Sequence, residues 1–461
     1  MGLMSVKKTV VKPPVHRISS REKVGYATGD LAFNLIYQTV SSYLLFFYTD
    51  VFGISSAAAG LMFLIVRIFD AVVDPLIGTV VDRTNSKYGR FRPYLLYGAI
   101  PFAIMSVLCF TTPGFSDTGK LVYAYITYIL LSVTYTTINV PYGALTSVIT
   151  QDNKEVVSLT SVRVFFSNIG GMIVTYGVPL LVGVFAAANM KTSSSWQLTM
   201  TIMGVLGCLL LFYCFFNTKE RVKVPDHAAE KINLKDAFEQ FRVNRPLVLI
   251  CLFFIINFGV NSIINSVGVY YITYNVDRPD LVKWYGLLGV LPALVCMPLM
   301  PFLYKWMGKR TLLFTTLTFK MVGLLALWVI PPSMVPLVLT ARIISAIGTV
   351  TAGGLCWALV PETIDYGEYK TGKRMGGLIY AIIGFFYKFG MALGGIVPGL
   401  ILDRFGYVAN QAQTPTALHG ILLTTTIIPA VFIIIELVAI YFYNLDEKEH
   451  KRVVAELEAR Q

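Results

Sequence analysis

Charge is what this sequence has least of. Only 14% of its 461 residues are Asp, Glu, Lys or Arg, while 55% are hydrophobic. A water-soluble chain is about a quarter charged, so this one has too few ionic groups to cover a surface facing water. Histidine is scarcer still. His16, His227, His419 and His450 fall in loops or near helix ends, which argues against an intramembrane zinc site and against an intramembrane enzyme. The six cysteines (Cys109, Cys208, Cys214, Cys251, Cys296, Cys356) lie in apolar stretches without a CxxC pair. They read as small buried residues, not as a disulfide framework. The net charge of +12 is scattered over short loops, which argues against nucleic-acid binding. The basic, polar stretch through Lys23 has no small-residue cleavage site and does not read as a signal peptide.

Apolar runs fill the sequence instead. About 20 apolar residues cross a bilayer as a helix, and runs of that length recur with no soluble domain between them. Spans are expected at 28–49, 57–80, 94–112, 121–145, 160–187, 198–217, 247–274, 284–303, 312–331, 335–358, 375–402 and 416–443. With these spans, 28 of the Lys and Arg residues fall on one side with both termini, 5 on the other and 5 inside spans. The positive-inside rule then puts both termini in the cytoplasm. The longest polar segment follows the sixth span, and within it "INLKDAFEQFRVN" has apolar residues at helical spacing. The expected organisation is a tail (1–23), a six-helix bundle (24–217), a central loop with an amphipathic helix (218–246), a second six-helix bundle (247–443) and a C-terminal tail (444–461). "DRTNSKYGRFRP" after span 2 and "YKWMGKRTLL" after span 8 both combine Gly with basic residues, as an old duplication would leave them. Two such halves are the arrangement of the major-facilitator fold, an all-α membrane architecture of twelve helices.

Against this apolar background, "VRIFDAVVDPLIG" stands out. Arg67, Asp70 and Asp74 are spaced i, i+3 and i+7 and share one helix face. Each charge at a helix centre costs about 2.5–3.5 kcal/mol, so they must face water, pair with each other or hold a cation. An ion pair with Arg67 explains one carboxylate; the second makes an oxygen-rich site fit for Na⁺ or H⁺. Lys388 is the lone charge in its span, either snorkelling or serving as counter-ion to the acidic pair. Arg163 opens span 5 as an interfacial anchor or as a donor to a sugar. Tyr135, Thr136 and Asn139 in span 4, with Asn34 in span 1, pair hydrogen-bonding groups with aromatic faces, as a polyol ring or helix–helix bonding would require. "DRTNSKYGRFRP" lacks the GxxxxGK[ST] pattern of a nucleotide loop. Arg67, Asp82, Arg83, Arg90 and Arg92 on one half, and Glu362 and Asp365 in "PETIDYGEYKTGKR" on the other, form a candidate gating set. The latter stretch is expected as a loop, either half of that gate or a solvated turn.

"FFYTDVFG", "VRIFDAVVDPLIG", "DRTNSKYGRFRP", "TINVPYGAL" and "DYGEYKTG", in this order, resemble the glycoside–pentoside–hexuronide:cation symporters, the melibiose permease family. The resemblance runs from Lys23 over nearly the whole chain. It implies a twelve-helix major-facilitator fold that couples sugar entry to H⁺, Na⁺ or Li⁺. It also implies cation-binding roles for Asp70, Asp74 and Thr136, sugar-pocket roles for Tyr135 and Arg163, and contact of Lys388 with the acidic site; Asn34, Tyr135, Asn139, Arg163 and Lys388 are the expected substrate-binding set. The family's galactoside carriers have aspartates where this chain has Asn34 and Asn139, and a tryptophan at Gly143. A pocket without those carboxylates admits an anionic substrate, and "GYVANQAQTP" and "INVPYGAL" resemble the glucuronide-carrier and pentoside branches; β-glucuronides or other hexuronides and xyloside-type pentosides therefore rank equally, ahead of galactosides.

The expected function is therefore secondary active import of a glycoside by symport with H⁺ or Na⁺, with no cofactor and no catalytic site. Its partners are a small sugar, a monovalent cation and the lipid bilayer of a bacterial inner membrane, where it acts as a monomer. A uniporter or exchanger of the same fold is the nearest alternative; a membrane sensor or scaffold is one of another class.

Overall fold

The computed structural model describes residues 18–150, 153–221, 234–373, 375–443, 445 and 447–460. The described residues form helices and connecting turns, without strands. The first half contains α1 (Ser20–Phe46), α2 (Ser56–Asp82), α3 (Arg92–Cys109), α4 (Asp117–Ile149), α5 (Asn153–Ala187) and α6 (Thr192–Asn217). A short amphipathic helix, α7 (Leu234–Val243), precedes the second half. That half runs through α8 (Arg245–Tyr270), α9 (Val282–Val290), α10 (Ala293–Met307), α11 (Lys309–Val329), α12 (Val335–Ala358), α13 (Val360–Thr371), α14 (Gly376–Arg404), α15 (Pro415–Thr425) and α16 (Ile427–Tyr441), and α17 (Glu447–Arg460) ends the chain.

Local chemistry explains the boundaries. Ser19, Ser55, Ser116, Asn244 and Thr414 cap α1, α2, α4, α8 and α15, each side chain accepting an N–H of the first turn. The eighth expected span is two helices, α9 and α10, because Pro292 has no N–H to continue the ladder. The twelfth breaks at Thr426, three residues before Pro429. The stretch expected as a loop after span 10 is helical: Pro361 sits in the first turn of α13, where its missing N–H costs nothing. Eleven described helical segments are long and apolar enough to cross a membrane. The twelfth traversal is α1, whose Asp30, Asn34 and Gln38 dilute its apolar character.

The first helix of each half ends in a π-helical turn, Phe47–Phe52 after α1 and Tyr271–Asn275 after α8. This matched irregularity supports the internal duplication. At the end of the molecule carrying these turns, one hydrophobic core joins both halves, linking Tyr48 and Trp196 to Tyr270, Tyr285, Leu402 and Ile421. At the opposite end the second half has a core of its own, around Leu247, Leu313, Leu355 and Tyr443. The halves are thus fused at the π-turn end and separate towards the termini. Small residues permit the fusion: a Cβ at Gly399 of α14 would lie 2.4 Å from the Ser56 carbonyl oxygen and 3.0 Å from the Gly60 Cα of α2.

Candidate functional site

Between the halves lies a cavity of about 490 Å³. Its first-half wall includes Asp30, Asn34, Tyr37, Arg67, Asp70, Tyr135, Thr136, Asn139 and Arg163; its second-half wall includes Asn261, Ser262, Asn265, Tyr387 and Lys388. The acidic cluster is built from α2, whose helical spacing stacks its charges on one side. Arg67 Nη1 donates to Asp70 Oδ2 at 3.3 Å, and its guanidinium lies 5.2 Å from the centre of the Tyr37 ring. Tyr37 stacks on Tyr135 at 4.8 Å. Asp70 is only 4% exposed, and its other oxygen accepts a short hydrogen bond from Ser132 on α4. Thr136, also buried, stands one turn beyond Ser132.

Asp74 meets the other half of the molecule. One carboxylate oxygen pairs with the Lys388 ammonium of α14, while the other, Oδ1, is buried without a hydrogen-bond partner. An ion pair therefore bridges α2 and α14 beside the cavity, one helical turn from the Asp70 carboxylate that Ser132 holds. Hard monovalent cations favour such oxygen donors.

The remaining wall is a polar and aromatic lattice. Arg163 Nε donates to Asp30 Oδ2 at 2.5 Å, and the guanidinium lies 5.3 Å from the Tyr142 ring centre. Asn34 Nδ2 donates to the Asp30 carbonyl and to Ser167 Oγ, both at 2.9 Å. Asn261 Oδ1 is buried and unpartnered. Sequence reasoning passed over several of these residues. Asp30 is an intramembrane carboxylate like Asp70 and was findable on that ground. Asn261 and Asn265 form an i, i+4 polar pair in an apolar run. Ser132 gave no signal, being one hydroxyl among many.

The described contacts of the gating residues lie within one half or the other. Asp82 closes α2, and its side chain lies outside the described residues. Arg83 caps the same helix and is exposed. Glu220 gathers the backbone N–H groups of Arg90, Phe91 and Arg92 at 2.8–2.9 Å, and Arg92 donates to the Phe215 carbonyl at 2.8 Å. Nearby, Arg221 pairs with Glu22 through two 2.7 Å bonds, which hold its guanidinium above its usual pKa. Across the gap, Glu362 pairs with Lys309 of α11 and Asp365 meets His450 of α17 at 3.1 Å. Each of these contacts stays within its own half.

At the π-turn end the halves do bond. Buried Asp50 accepts from the hydroxyls of Tyr274 and Tyr407, the latter at 2.6 Å, and its backbone carbonyl accepts from Asn410. Thr49 bonds the Tyr270 hydroxyl at 2.8 Å. This clasp was not anticipated from the sequence.

The sequence family described as MFS/sugar transport protein matches residues 25–447. The chain belongs to that family. It is 66% identical to the uncharacterized symporter YnaJ of Bacillus subtilis over 97% of this chain and 96% of that one. It is 36% identical to an isoprimeverose transporter of Lactiplantibacillus pentosus, covering 95% of this chain and 91% of that one. With a glucuronide carrier protein homolog of Escherichia coli the identity is 35% over 96% of each. The solved D-xylose–proton symporter superposes with a TM-score of 0.66 over 94% of this chain and 98% of its own, at 14% identity. That likeness concerns the fold, which is the major-facilitator fold.

Proposed function

We propose that this protein is a cation-coupled symporter that carries a glycoside through the cavity between its halves by alternating access. The observation that carries the reading is the Lys388–Asp74 ion pair, which joins the two halves beside the cavity and leaves one Asp74 oxygen unpartnered. A Na⁺ or H⁺ arriving at Asp70 and Asp74, with Thr136 and Ser132 as further oxygens, would compete with the ammonium for Asp74. Loading would replace an internal counter-ion with a mobile one and release α14 from α2. Asn34, Tyr135, Asn139, Arg163 and Lys388 are the proposed sugar contacts. Sugar and cation must each tighten the other's binding by the same factor.

The Lys and Arg excess on the side of the termini supports a cytoplasmic location for both ends. In that orientation the Asp50 clasp closes the extracellular side, and the cavity faces the cytoplasm. The bacterial sources of the relatives support placement in a bacterial cytoplasmic membrane.

The test is transport in reconstituted vesicles with an imposed cation gradient. Wild-type protein should accumulate glycoside only with the gradient. Asp74→Asn should lose uphill uptake, by at least tenfold, while retaining exchange. Accumulation of equal extent without any H⁺ or Na⁺ gradient would remove coupling from the account.

A further inference from the structure

Each of the three cations lining the cavity is already engaged by a carboxylate. Arg67 is held by Asp70, Lys388 by Asp74 and Arg163 by Asp30. The third pair decides what the sugar site can accept. Asp30 is fixed in place: its backbone N–H donates to the Tyr142 hydroxyl at 3.1 Å. The ring of Tyr142 fits only because residue 29 is glycine, where a Cβ would lie 2.3 Å from the ring. The carboxylate takes the Nε–H of Arg163 at 2.5 Å, and the side chains are 13% and 32% exposed. A guanidinium has five N–H donors, so four remain for a ligand, while the carboxylate adds an acceptor beside them.

We infer that Asp30 makes Arg163 a charge-neutral donor–acceptor unit and thereby selects neutral glycosides over uronates; this rests on the symport reading above. A diol of a neutral sugar can take an N–H from Arg163 and give an O–H to Asp30, satisfying both. A uronate in the same position sets its carboxylate against that of Asp30, with the guanidinium already shared. On this reading, Asp30 offsets the anion tolerance expected from Asn34 and Asn139, since it places a carboxylate one helical turn from Asn34.

The experiment measures binding and counterflow with purified wild-type protein, in Na⁺ and at mildly acidic pH so that either coupling ion is present. The ligands are aryl xylosides, glucosides and galactosides, the matching glucuronide and galacturonide, and the methyl esters of both uronides. The best neutral glycoside should bind at least about tenfold more tightly than its uronate, and esterification should recover most of the difference. Asp30→Asn and Asp30→Ser should each shrink the acid-to-ester ratio by about tenfold, because Arg163 is then free to take the carboxylate. Wild-type preference for a free uronate over its ester overturns the inference and leaves symport standing. An unchanged ratio in a folded variant, judged by thermal unfolding, overturns the role of Asp30. If neither variant folds, the wild-type acid-to-ester comparison decides. Failure of every glycoside to bind or exchange in the wild type overturns the symport reading, and this inference with it.

Discussion

Ser132 illustrates how much of the site rests on single hydrogen bonds. Its hydroxyl is the second partner of a buried Asp70 that Arg67 reaches only at 3.3 Å. A hydrogen bond to a charged group is worth about 1.5–3 kcal/mol when lost, roughly ten- to a hundredfold in an equilibrium constant. Ser132→Ala should therefore raise the cation concentration needed for half-maximal sugar binding by about tenfold, without abolishing binding in saturating cation; a cation titration of glycoside affinity measures it. Asp70, Asp74 and Lys388 were legible in the sequence because a charge in an apolar run is costly and so conspicuous. Ser132 was not, since a hydroxyl in a membrane helix commonly bonds its own backbone, as Thr127 and Thr137 on the same helix do. Asp30 lay inside an expected span but its meaning depends on Arg163, 133 positions away, and no spacing rule connects such residues.

The helices themselves were readable from hydropathy, and each of the twelve expected spans falls on a traversal. Their ends were less so. Membrane helices here continue past the apolar run, as α5 does to Asn153 and α4 to Ile149, because the caps and polar turns that finish them carry no hydrophobic signal. α13 was misjudged for the opposite reason: its charges read as solvent-facing, yet Glu362 is mostly buried against Lys309. Helix contact in this fold depends on small residues that spacing cannot assign to partners. Gly390 of α14 is the sharpest case, as a Cβ there would lie 2.3 Å from the Ile255 carbonyl oxygen of α8. Gly390→Leu should destabilise the second half by about 1–3 kcal/mol through overpacking, seen as a lower unfolding temperature in detergent. Gly377→Leu, on the same helix in open space, should leave that temperature close to the parent value.

For the whole molecule, the question is which end opens. Contacts between halves concentrate at the π-turn end, where Asp50 collects Tyr274, Tyr407 and Asn410. Asp50→Ala removes the common acceptor and should shift the population towards a form open at that end. A cysteine placed at Asn265, which lines the cavity, should then react several-fold faster with a membrane-impermeant thiol reagent applied from the side opposite the termini. An unchanged rate would mean that the apolar core alone keeps that end shut. None of this asymmetry was visible in the sequence, since two faces of equal hydropathy read alike whether they touch or stand apart.

Where α2 crosses α14 at Gly60 and Gly399, backbone meets backbone. Surfaces that mesh must change rotamers to come apart, whereas smooth ones can slide or peel with little rearrangement. That part of the seam is therefore suited to repeated parting once the Lys388–Asp74 pair lets go. Filling it with a single isoleucine at Gly60 should slow the transport cycle even though no ligand ever touches that position.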